Sequence, residues 1–208
     1  SDAFTCELQP REGETDTWLL TIYPDMEYLQ DEARVYPVVI DPTVTWTGSN
    51  KMYDVYVCNG SYAATNFYSS GVKVLAAGKS SQGLFRTYMQ FFDLGAASRG
   101  YYIESAKLDL YEGGDCKADI NVQAYRVKES WKPAQLTWNN QPAYDGGTVY
   151  DTIKTAGSAG TKHTMNLTKY VREIATSKYV NCGIVLRTKS ESKSSNFTQF
   201  YNSRYATA

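Results

Sequence analysis

Histidine is almost absent from this sequence, since His163 is the single copy in 208 residues. A lone histidine cannot supply a multi-histidine zinc site, and a Ser-His-Asp or Cys-His catalytic group would have to use this one residue. No nucleophile-elbow motif accompanies it, and the paired glycines at 113–114 and 146–147 mark short turns rather than a phosphate-binding loop. We therefore expect a structural or surface role for His163.

An excess of one charge is also lacking, because 21 basic and 22 acidic residues leave a net charge of −1. Without a basic stripe, nucleic acid is not an expected partner. No apolar run approaches the roughly 20 residues that span a bilayer, so no membrane span is expected in this piece. No signal peptide is visible either. Because folded-looking sequence begins at Phe4, we interpret the chain as a module cut from a longer polypeptide.

Closely spaced cysteines are missing as well. The four copies, Cys6, Cys58, Cys116 and Cys182, include no CxxC pair, which excludes zinc-ribbon spacing. Full oxidation would leave three connectivities open, and free thiols are the other interpretation. Cys58 and Cys182 lie in apolar, strand-like runs and are predicted to be small core residues. Cys116 follows a Gly-Gly-Asp turn and is predicted to be exposed.

Tyrosine is abundant, with 18 copies against six prolines, which favours pleated sheets. Short runs separated by Gly, Ser and Asn clusters indicate antiparallel strands packed face to face. Ile120, Val122 and Ala124 alternate with polar residues and so share one face. Strands are predicted at 17–22, 35–40, 53–58, 72–77, 86–92, 103–111, 119–127, 162–167, 183–188 and 197–202.

One segment has helical rather than strand periodicity. Apolar residues recur at intervals of three and four from Leu167 to Ala175, which predicts a single amphipathic helix capped by Asn166 or Thr168. The polar stretch 25–33 has room for one helical turn, and the Ser/Lys-rich stretch 189–195 is predicted to be a surface loop.

Paired carboxylates are the remaining route to catalysis, since a glycosidase needs two of them facing each other across a cleft. The acidic residues fall mostly in turns or at strand ends, where solvated charge is the default. Those considered are Glu112, Asp115, Glu129, Asp145 and Asp151.

Several motifs occur in a specific order between residue 46 and the end of the chain. The most specific is Trp131 followed by Thr137-Trp138-Asn139-Asn140-Gln141-Pro142; weaker ones are Phe91-Phe92-Asp93-Leu94 and the alternating run 103–111. Together they resemble the DNRLRE domain, which is related to disaggregatase-type repeats and to family 96 carbohydrate-binding modules. The preceding segment 34–43 is similar to the joint ahead of such domains in bacterial wall-associated and YD-repeat proteins.

This resemblance implies two regions. Residues 1–45 would be the end of an upstream β domain or an N-terminal strand extension, and residues 46–208 would be a DNRLRE-like sandwich. The implied fold is an all-β, jelly-roll-like antiparallel β-sandwich with one short helix. Relatives usually finish with a proline-containing strand, so either that strand lies beyond Ala208 or the run 197–205 takes its place.

The resemblance also suggests where to look for a site. Trp131, Trp138, Asn139, Asn140 and Pro142 belong to the signature and are expected to anchor a structured turn rather than bind ligand. The tyrosines of the long loops are the better candidate platforms for a sugar, on the concave sheet face or beside it. They are Tyr53, Tyr62, Tyr68, Tyr101, Tyr102 and Tyr144.

A structural calcium is the one metal considered, because jelly-roll binding modules often carry one and calcium prefers oxygen ligands. Its candidate ligands are Asp54, Asn66 and Asp93. We expect no other cofactor.

Three functions are compatible with these features. The first is a non-catalytic module of a secreted or cell-wall-associated bacterial protein that binds polysaccharide or cell-wall glycan. The second is a structural spacer or adhesin module in a large YD-repeat or toxin-delivery protein, which contacts neighbouring domains but has no ligand of its own. The third, an enzyme, would require a cleft with two facing carboxylates of shifted pKa.

Overall fold

A computed structural model describes residues 4–10, 18–30, 32, 51–68, 71–98 and 103–205. The chain divides into two compact units, Ser1–Thr45 and Trp46–Ala208. Within the described ranges, no helix has the length and apolar character needed to cross a membrane.

The first unit contains an antiparallel pair of strands followed by a short helix. Strand β1 spans Phe4–Pro10, strand β2 spans Trp18–Pro24, and helix α1 spans Met26–Gln30. The two strands pair in continuous register from Phe4 opposite Pro24 to Pro10 opposite Trp18. Asp25 caps the helix, because its Oδ1 accepts a hydrogen bond from the backbone N–H of Glu27 at 2.8 Å.

The described part of the second unit contains nine strands and two helices. The strands are β3 (Met52–Cys58), β4 (Val74–Ser80), β5 (Gly83–Phe91), β6 (Lys107–Tyr111), β7 (Ala118–Arg126), β8 (Asp151–Ala156), β9 (Lys162–Asn166), β10 (Ile184–Thr188) and β11 (Phe197–Tyr201). The helices are α2 (Leu94–Ser98) and α3 (Thr168–Ala175), and 3₁₀ turns occur at Gly60–Tyr62 and Pro133–Gln135.

The strands form two antiparallel layers of unequal size. Seven of them make a large sheet in the order β11-β4-β5-β10-β7-β8, with β3 paired to β5 off this path. The smaller sheet consists of β6 and β9. Since every pairing is antiparallel, the prediction of an all-β antiparallel sandwich is confirmed. The second layer is completed by α3, the predicted amphipathic helix, rather than by further strands.

The main core lies between the two layers. Ile184 and Leu186 of β10 face it from the large sheet, and Met165 of β9 and Tyr170 of α3 face it from the other side. All four side chains are almost completely buried. Burial of this apolar surface is the dominant force holding α3 and the small sheet onto the large one.

The opposite face of the large sheet carries a second, smaller cluster. Here Tyr88 and Val185 pack with Leu136 and with the half-buried Trp131 from the segment 128–145, which crosses this face. The two clusters share the strands of one sheet because successive side chains of a strand point to opposite faces.

Gly183 makes the central position of β10 possible. Its φ is +88°, and a Cβ at this residue would lie 2.0 Å from the carbonyl oxygen of Met89 on β5. Only glycine tolerates both the left-handed backbone and this close approach.

The sequence located most strands of the second unit but not all elements. β8 was not predicted, and neither was β1 in the first unit. Of the predicted strand 103–111, the structure has only Lys107–Tyr111 as strand. The predicted strand 35–40 lies outside the described residues. The helical turn considered at 25–33 corresponds to α1.

The cysteines are free thiols. Cys58 and Cys182 are buried, as expected of small core residues, whereas Cys116 is half-buried rather than exposed. Burial raises the pKa of the Cys58 thiol to about 11, which makes it unreactive at neutral pH.

The expectation of solvated acidic residues is wrong for Glu112, which is completely buried. Its carboxylate accepts hydrogen bonds from the backbone N–H groups of Ala156 at 2.5 Å and Ser158 at 2.9 Å. It also lies 2.6 Å from Nε2 of His163, the single histidine. Burial raises the pKa of Glu112, but the hydrogen bonds from Ala156 and His163 outweigh it and hold that pKa below its usual range.

Candidate functional site

The outward face of the large sheet carries two arginines in neighbouring positions. Val185 of β10 lies opposite both Tyr88 of β5 and Tyr125 of β7, so these three side chains form one row. Arg86 and Arg187 each lie two residues from that row, in the same direction and on the same face. The antiparallel register therefore brings together two guanidinium groups that are 101 positions apart in sequence.

A single carboxylate holds both arginines. Arg86 donates from Nε to Oε1 of Glu191 and from Nη2 to Oε2, each at 2.8 Å, which is a bidentate pair. Nη2 of Arg187 lies 3.0 Å from the same Oε2. Burial lowers the pKa of Arg86, but the hydrogen bonds and negative charge of Glu191 outweigh it and raise that pKa above its usual value. Two fixed cations thus share one anion at the surface.

Aromatic rings lie under both guanidinium groups. The Arg86 guanidinium carbon is 4.8 Å from the ring centre of Trp138 and 5.5 Å from that of Tyr144. The Arg187 guanidinium is 5.6 Å from the rings of Tyr144 and Tyr125, and its Nη1 donates to the Tyr144 hydroxyl. We call this group the arginine–aromatic patch; its members are Arg86, Tyr125, Trp138, Tyr144, Arg187 and Glu191.

Gln141 connects the patch to the signature segment. Its Oε1 accepts hydrogen bonds from Nη1 of Arg86 at 3.1 Å and from the Tyr88 hydroxyl at 3.0 Å. Its Nε2 donates to the carbonyl oxygen of Trp138 at 3.0 Å. The side chain therefore fixes the position of the Trp138 backbone relative to the sheet.

Other signature residues are engaged in holding the same segment. Trp131 donates from Nε1 to the carbonyl oxygen of Cys182 at 2.9 Å. Asn140 accepts from the backbone N–H of Thr137 at 2.7 Å and donates to the carbonyl oxygen of Gln135 at 2.8 Å. Pro142 is buried, and the exposed Asn139 donates its backbone N–H to Ala63. Trp138 differs from these, because its ring lies in the patch.

The tyrosines that the sequence singled out do not form one group. Tyr144 lies in the patch, with its ring 5.6 Å from that of Tyr125. Tyr53 and Tyr68 contact each other edge to face at 6.1 Å, and Arg204 lies over the Tyr68 ring at 4.5 Å. Tyr62 is on a 3₁₀ turn, 6.1 Å from Phe67. Tyr101 and Tyr102 lie outside the described residues.

The candidate calcium ligands have other partners in this structure. Asp54 is buried, accepts from the backbone N–H and hydroxyl of Ser203, and lies 3.6 Å from Nη2 of Arg204. Burial raises the pKa of Asp54. Asn66 directs its amide N–H groups to the carbonyl oxygens of Pro133 and Leu136, both at 2.7 Å.

Asp54 therefore faces a guanidinium, and the amide N–H groups of Asn66 serve as donors to backbone carbonyls. Asp93, the third candidate, is a left-handed turn residue with φ of +55°. Across the ranges that the structure describes, no cluster of three or more His, Cys, Asp or Glu side chains could hold a metal ion. Binding of calcium is not tested by this geometry, and it stays a prediction.

The fold defines a class of protein, the antiparallel β-sandwich, and this one presents aromatic rings and fixed polar groups on the outer face of its large sheet. The model of carbohydrate-binding module family 96 matches residues 45–208, and the chain belongs to this family. No curated protein matches it.

Arg86, Arg187 and Glu191 were missed from the sequence. In the sequence, the arginines look like ordinary outward-facing residues of predicted strands. Glu191 lies in the stretch predicted to be a surface loop. The one usable signal was an arginine at an outward position of two separate strands, which is weak without the register of β5 and β10.

Proposed function

We propose that this chain is a non-catalytic module of a secreted or cell-wall-associated bacterial protein and that it binds carbohydrate at the arginine–aromatic patch. Membership of the family supports carbohydrate as the ligand class. The observation that carries the location is the pair of half-buried rings, Trp138 and Tyr144, lying beside two guanidinium groups that Glu191 immobilises.

The patch offers a sugar both of the contacts that it needs. The C–H face of a pyranose is apolar and packs on the electron-rich face of an aromatic ring, and Trp138 and Tyr144 are two of the rings in the patch. The hydroxyl groups at the sugar edge pair with planar side chains that offer several donors or acceptors at fixed spacing, as Arg86 and Arg187 do.

Affinity also depends on the conformational entropy that the side chains of the site lose when the ligand binds. A free arginine side chain loses about 0.5–1.5 kcal/mol of conformational entropy when a ligand immobilises it. In the patch, Glu191 and Gln141 already hold Arg86, and Glu191 and Tyr144 already hold Arg187. The patch is therefore preorganised.

The same contacts argue for binding rather than hydrolysis at this position. A glycosidase uses two carboxyl groups that flank the scissile bond, one of which carries a transferable proton. Glu191 is the carboxylate of the patch, and both of its oxygens accept from arginines. It is therefore held as a structural anion.

The test is retention of the 208-residue chain in affinity gels that contain neutral or acidic polysaccharides from bacterial walls, plants and algae. We expect retention on at least one of them. Trp138→Ala and Tyr144→Ala should each weaken binding by at least about tenfold, because truncating a central aromatic contact typically costs more than about 1.4 kcal/mol. Thermal unfolding of each variant reports whether it is still folded.

Tyr62→Ala is the matched control, since it removes an exposed tyrosine that lies outside the patch. It should bind like the parent chain. Failure of the parent chain to be retained on any polysaccharide would favour the alternative, a spacer or adhesin module without a ligand. Unchanged retention of both patch variants would show that the carbohydrate binds elsewhere.

A further inference from the structure

A second concave surface lies beside α3, in the layer opposite the arginine–aromatic patch. It is a groove of about 690 Å³ between α3, the start of β8, the end of β9 and the segment before β6. We call it the α3 groove; the residues that matter for the argument are Glu104, Ser105, Tyr150, Asn166, Lys169 and Glu173. Its volume is within the usual range for small-ligand sites.

The groove has a fixed aromatic wall. The ring of Tyr150 is supported from behind by the buried Tyr170, with ring centres 5.5 Å apart and planes at 83°. Its hydroxyl donates to Oε2 of Glu173 at 2.5 Å, and Nζ of Lys178 donates to Oε1 of the same carboxylate at 2.8 Å. Tyr150 and Glu173 therefore hold their positions without a ligand.

The remaining walls are cross-linked by hydrogen bonds. Asp151 accepts from the backbone N–H of Asn166 at 2.6 Å, which joins the start of β8 to the end of β9. Arg172 of α3 donates to the carbonyl oxygens of Ile103 at 2.7 Å and Glu104 at 3.2 Å, which joins the helix to the segment before β6. All four sides of the groove are thus tied together.

Several polar side chains of the groove are left for a ligand. Glu104, Ser105 and Lys169 make no side-chain hydrogen bond or ion pair with any residue that the structure describes, and Lys169 holds its ammonium 5.7 Å from the Tyr150 ring. Asn166 uses its carbonyl oxygen to accept from Thr168. Hydrogen-bond donors and acceptors, including one cation and two carboxylates, therefore surround one aromatic ring. This combination suits a hydroxyl-rich ring better than an ion or an apolar ligand.

The carboxylate at the wall is suited to binding rather than proton transfer. Burial raises the pKa of Glu173, but hydrogen bonds from Lys178 and Tyr150 outweigh it and hold that pKa below its usual range. A general acid of a glycosidase needs the opposite shift. Glu173 stays ionised and accepts hydrogen bonds.

We infer that the α3 groove is a second carbohydrate-binding site, which takes one or two sugar units with a ring stacked on Tyr150. The ligand class rests on the proposed function, but the site does not use any residue of the patch. Because α3 packs on the inner face of the large sheet and the patch lies on its outer face, the two sites are on opposite sides of the module. One module then links two glycan chains, and its avidity for a polysaccharide exceeds the affinity of either site.

The test is a titration of the isotope-labelled 208-residue chain, followed by the chemical shifts of backbone amides. The probes are oligosaccharides of two to four units from the polysaccharides used in the affinity gels. We expect two separate sets of shifts, one around Gln141 and Tyr144 and one around Asn166 and Lys169. In Tyr150→Ala, the second set should weaken by about tenfold or more while the first is unchanged.

Two further variants keep the test decisive if Tyr150→Ala does not fold. Ser105→Leu fills the exposed rim of the groove without removing a core contact and should abolish the second set of shifts. Trp138→Ala combined with Tyr144→Ala should abolish the first set and leave the second. Shifts confined to the patch would overturn this inference and leave the proposed function intact. Shifts confined to the groove would support it and disprove the location proposed for the patch, whereas no shifts with any probe would overturn both.

Discussion

The two faces of the seven-stranded sheet are built from the same strands but differ in what they do. On β10, Ile184 and Leu186 point inward to the main core, whereas Val185 and Arg187 point outward. The inner face is closed by α3 and the small sheet and carries the larger apolar cluster. The outer face is only partly covered and carries arginines, tyrosines and a glutamate in one connected group.

This difference separates the contacts that stabilise the fold from those of the proposed binding surface. Apolar burial on the inner face does not depend on which polar groups the outer face carries, because period-two alternation assigns them to different sides. Each outer guanidinium has a carboxylate within hydrogen-bond distance, which offsets part of the free-energy cost of holding it on the sheet. Substitutions on the two faces should therefore affect different measurements.

The largest effect is expected for Leu186→Ala on the inner face. This side chain is completely buried at the centre of the main core, and its truncation should lower the free energy of unfolding by about 3–4 kcal/mol, measured by urea denaturation. The neighbouring Arg187→Ala on the outer face should cost less, about 1–2 kcal/mol, because Glu191 keeps its bidentate pair with Arg86 when Arg187 is removed. It should nevertheless weaken polysaccharide retention, which Leu186→Ala should leave unchanged where the variant is folded. Similar stability losses for the two variants would mean that the faces are not independent.

An intermediate effect is expected for Glu112→Gln, which neutralises a carboxylate buried on the inner side of the large sheet. Removing a buried carboxylate that accepts from two backbone N–H groups and pairs with His163 should cost about 2 kcal/mol at pH 7. Because the folded-state pKa of Glu112 is lowered, its contribution is present above the unfolded pKa of about 4.3 and is lost as the pH falls through the lower folded value. Urea midpoints measured from pH 7 to pH 2 should therefore fall less steeply for the variant than for the parent chain.

Asp119→Asn is the matched control for that titration. Asp119 forms an exposed ion pair with Lys154 at 2.6 Å, and its φ of +64° is one that asparagine also tolerates. The control should change stability by less than about 1 kcal/mol and keep the pH dependence of the parent chain. Parallel pH profiles for Glu112→Gln and the parent chain would contradict the assignment.

The inner face was largely predictable from the sequence, because the spacing of apolar and polar residues within each strand and helix identifies the buried side chains. Ile120, Val122 and Ala124 identified β7, and the helical spacing from Leu167 onward identified α3. β8 was not predicted because its buried residues are Ile153 and a threonine, and a single apolar residue produces no alternating pattern. The insertion of β10 between β5 and β7 depends on contacts distant in sequence, which no local pattern encodes.

The outer face was much less predictable for the same reason. Tyr144 was chosen because it is a loop tyrosine, but its place in the patch comes from Arg187, which lies 43 positions away in sequence and donates to its hydroxyl. Glu191 gave no sign in the sequence of being an anion shared by two arginines, since nothing near it in the chain distinguishes it from a solvated residue. A site assembled by strand register becomes visible only once that register is known.

The smallest effect is expected for Tyr144→Phe, which keeps the ring of the patch and removes the hydroxyl that accepts from Arg187. Loss of one partly exposed hydrogen bond should lower the free energy of unfolding by about 0.5–1 kcal/mol. Polysaccharide binding should weaken by roughly two- to fivefold, because the Arg187 guanidinium loses one of the contacts that immobilise it. Tyr170→Phe is the control, since its hydroxyl donates to Oδ1 of Asn181 at 2.9 Å on the inner side of the sheet, away from the patch. If the hydroxyl of Tyr144 acts by positioning Arg187, the two variants should lose similar stability, but only Tyr144→Phe should lose affinity. Equal losses of affinity would indicate that binding depends on the overall stability of the module rather than on this contact.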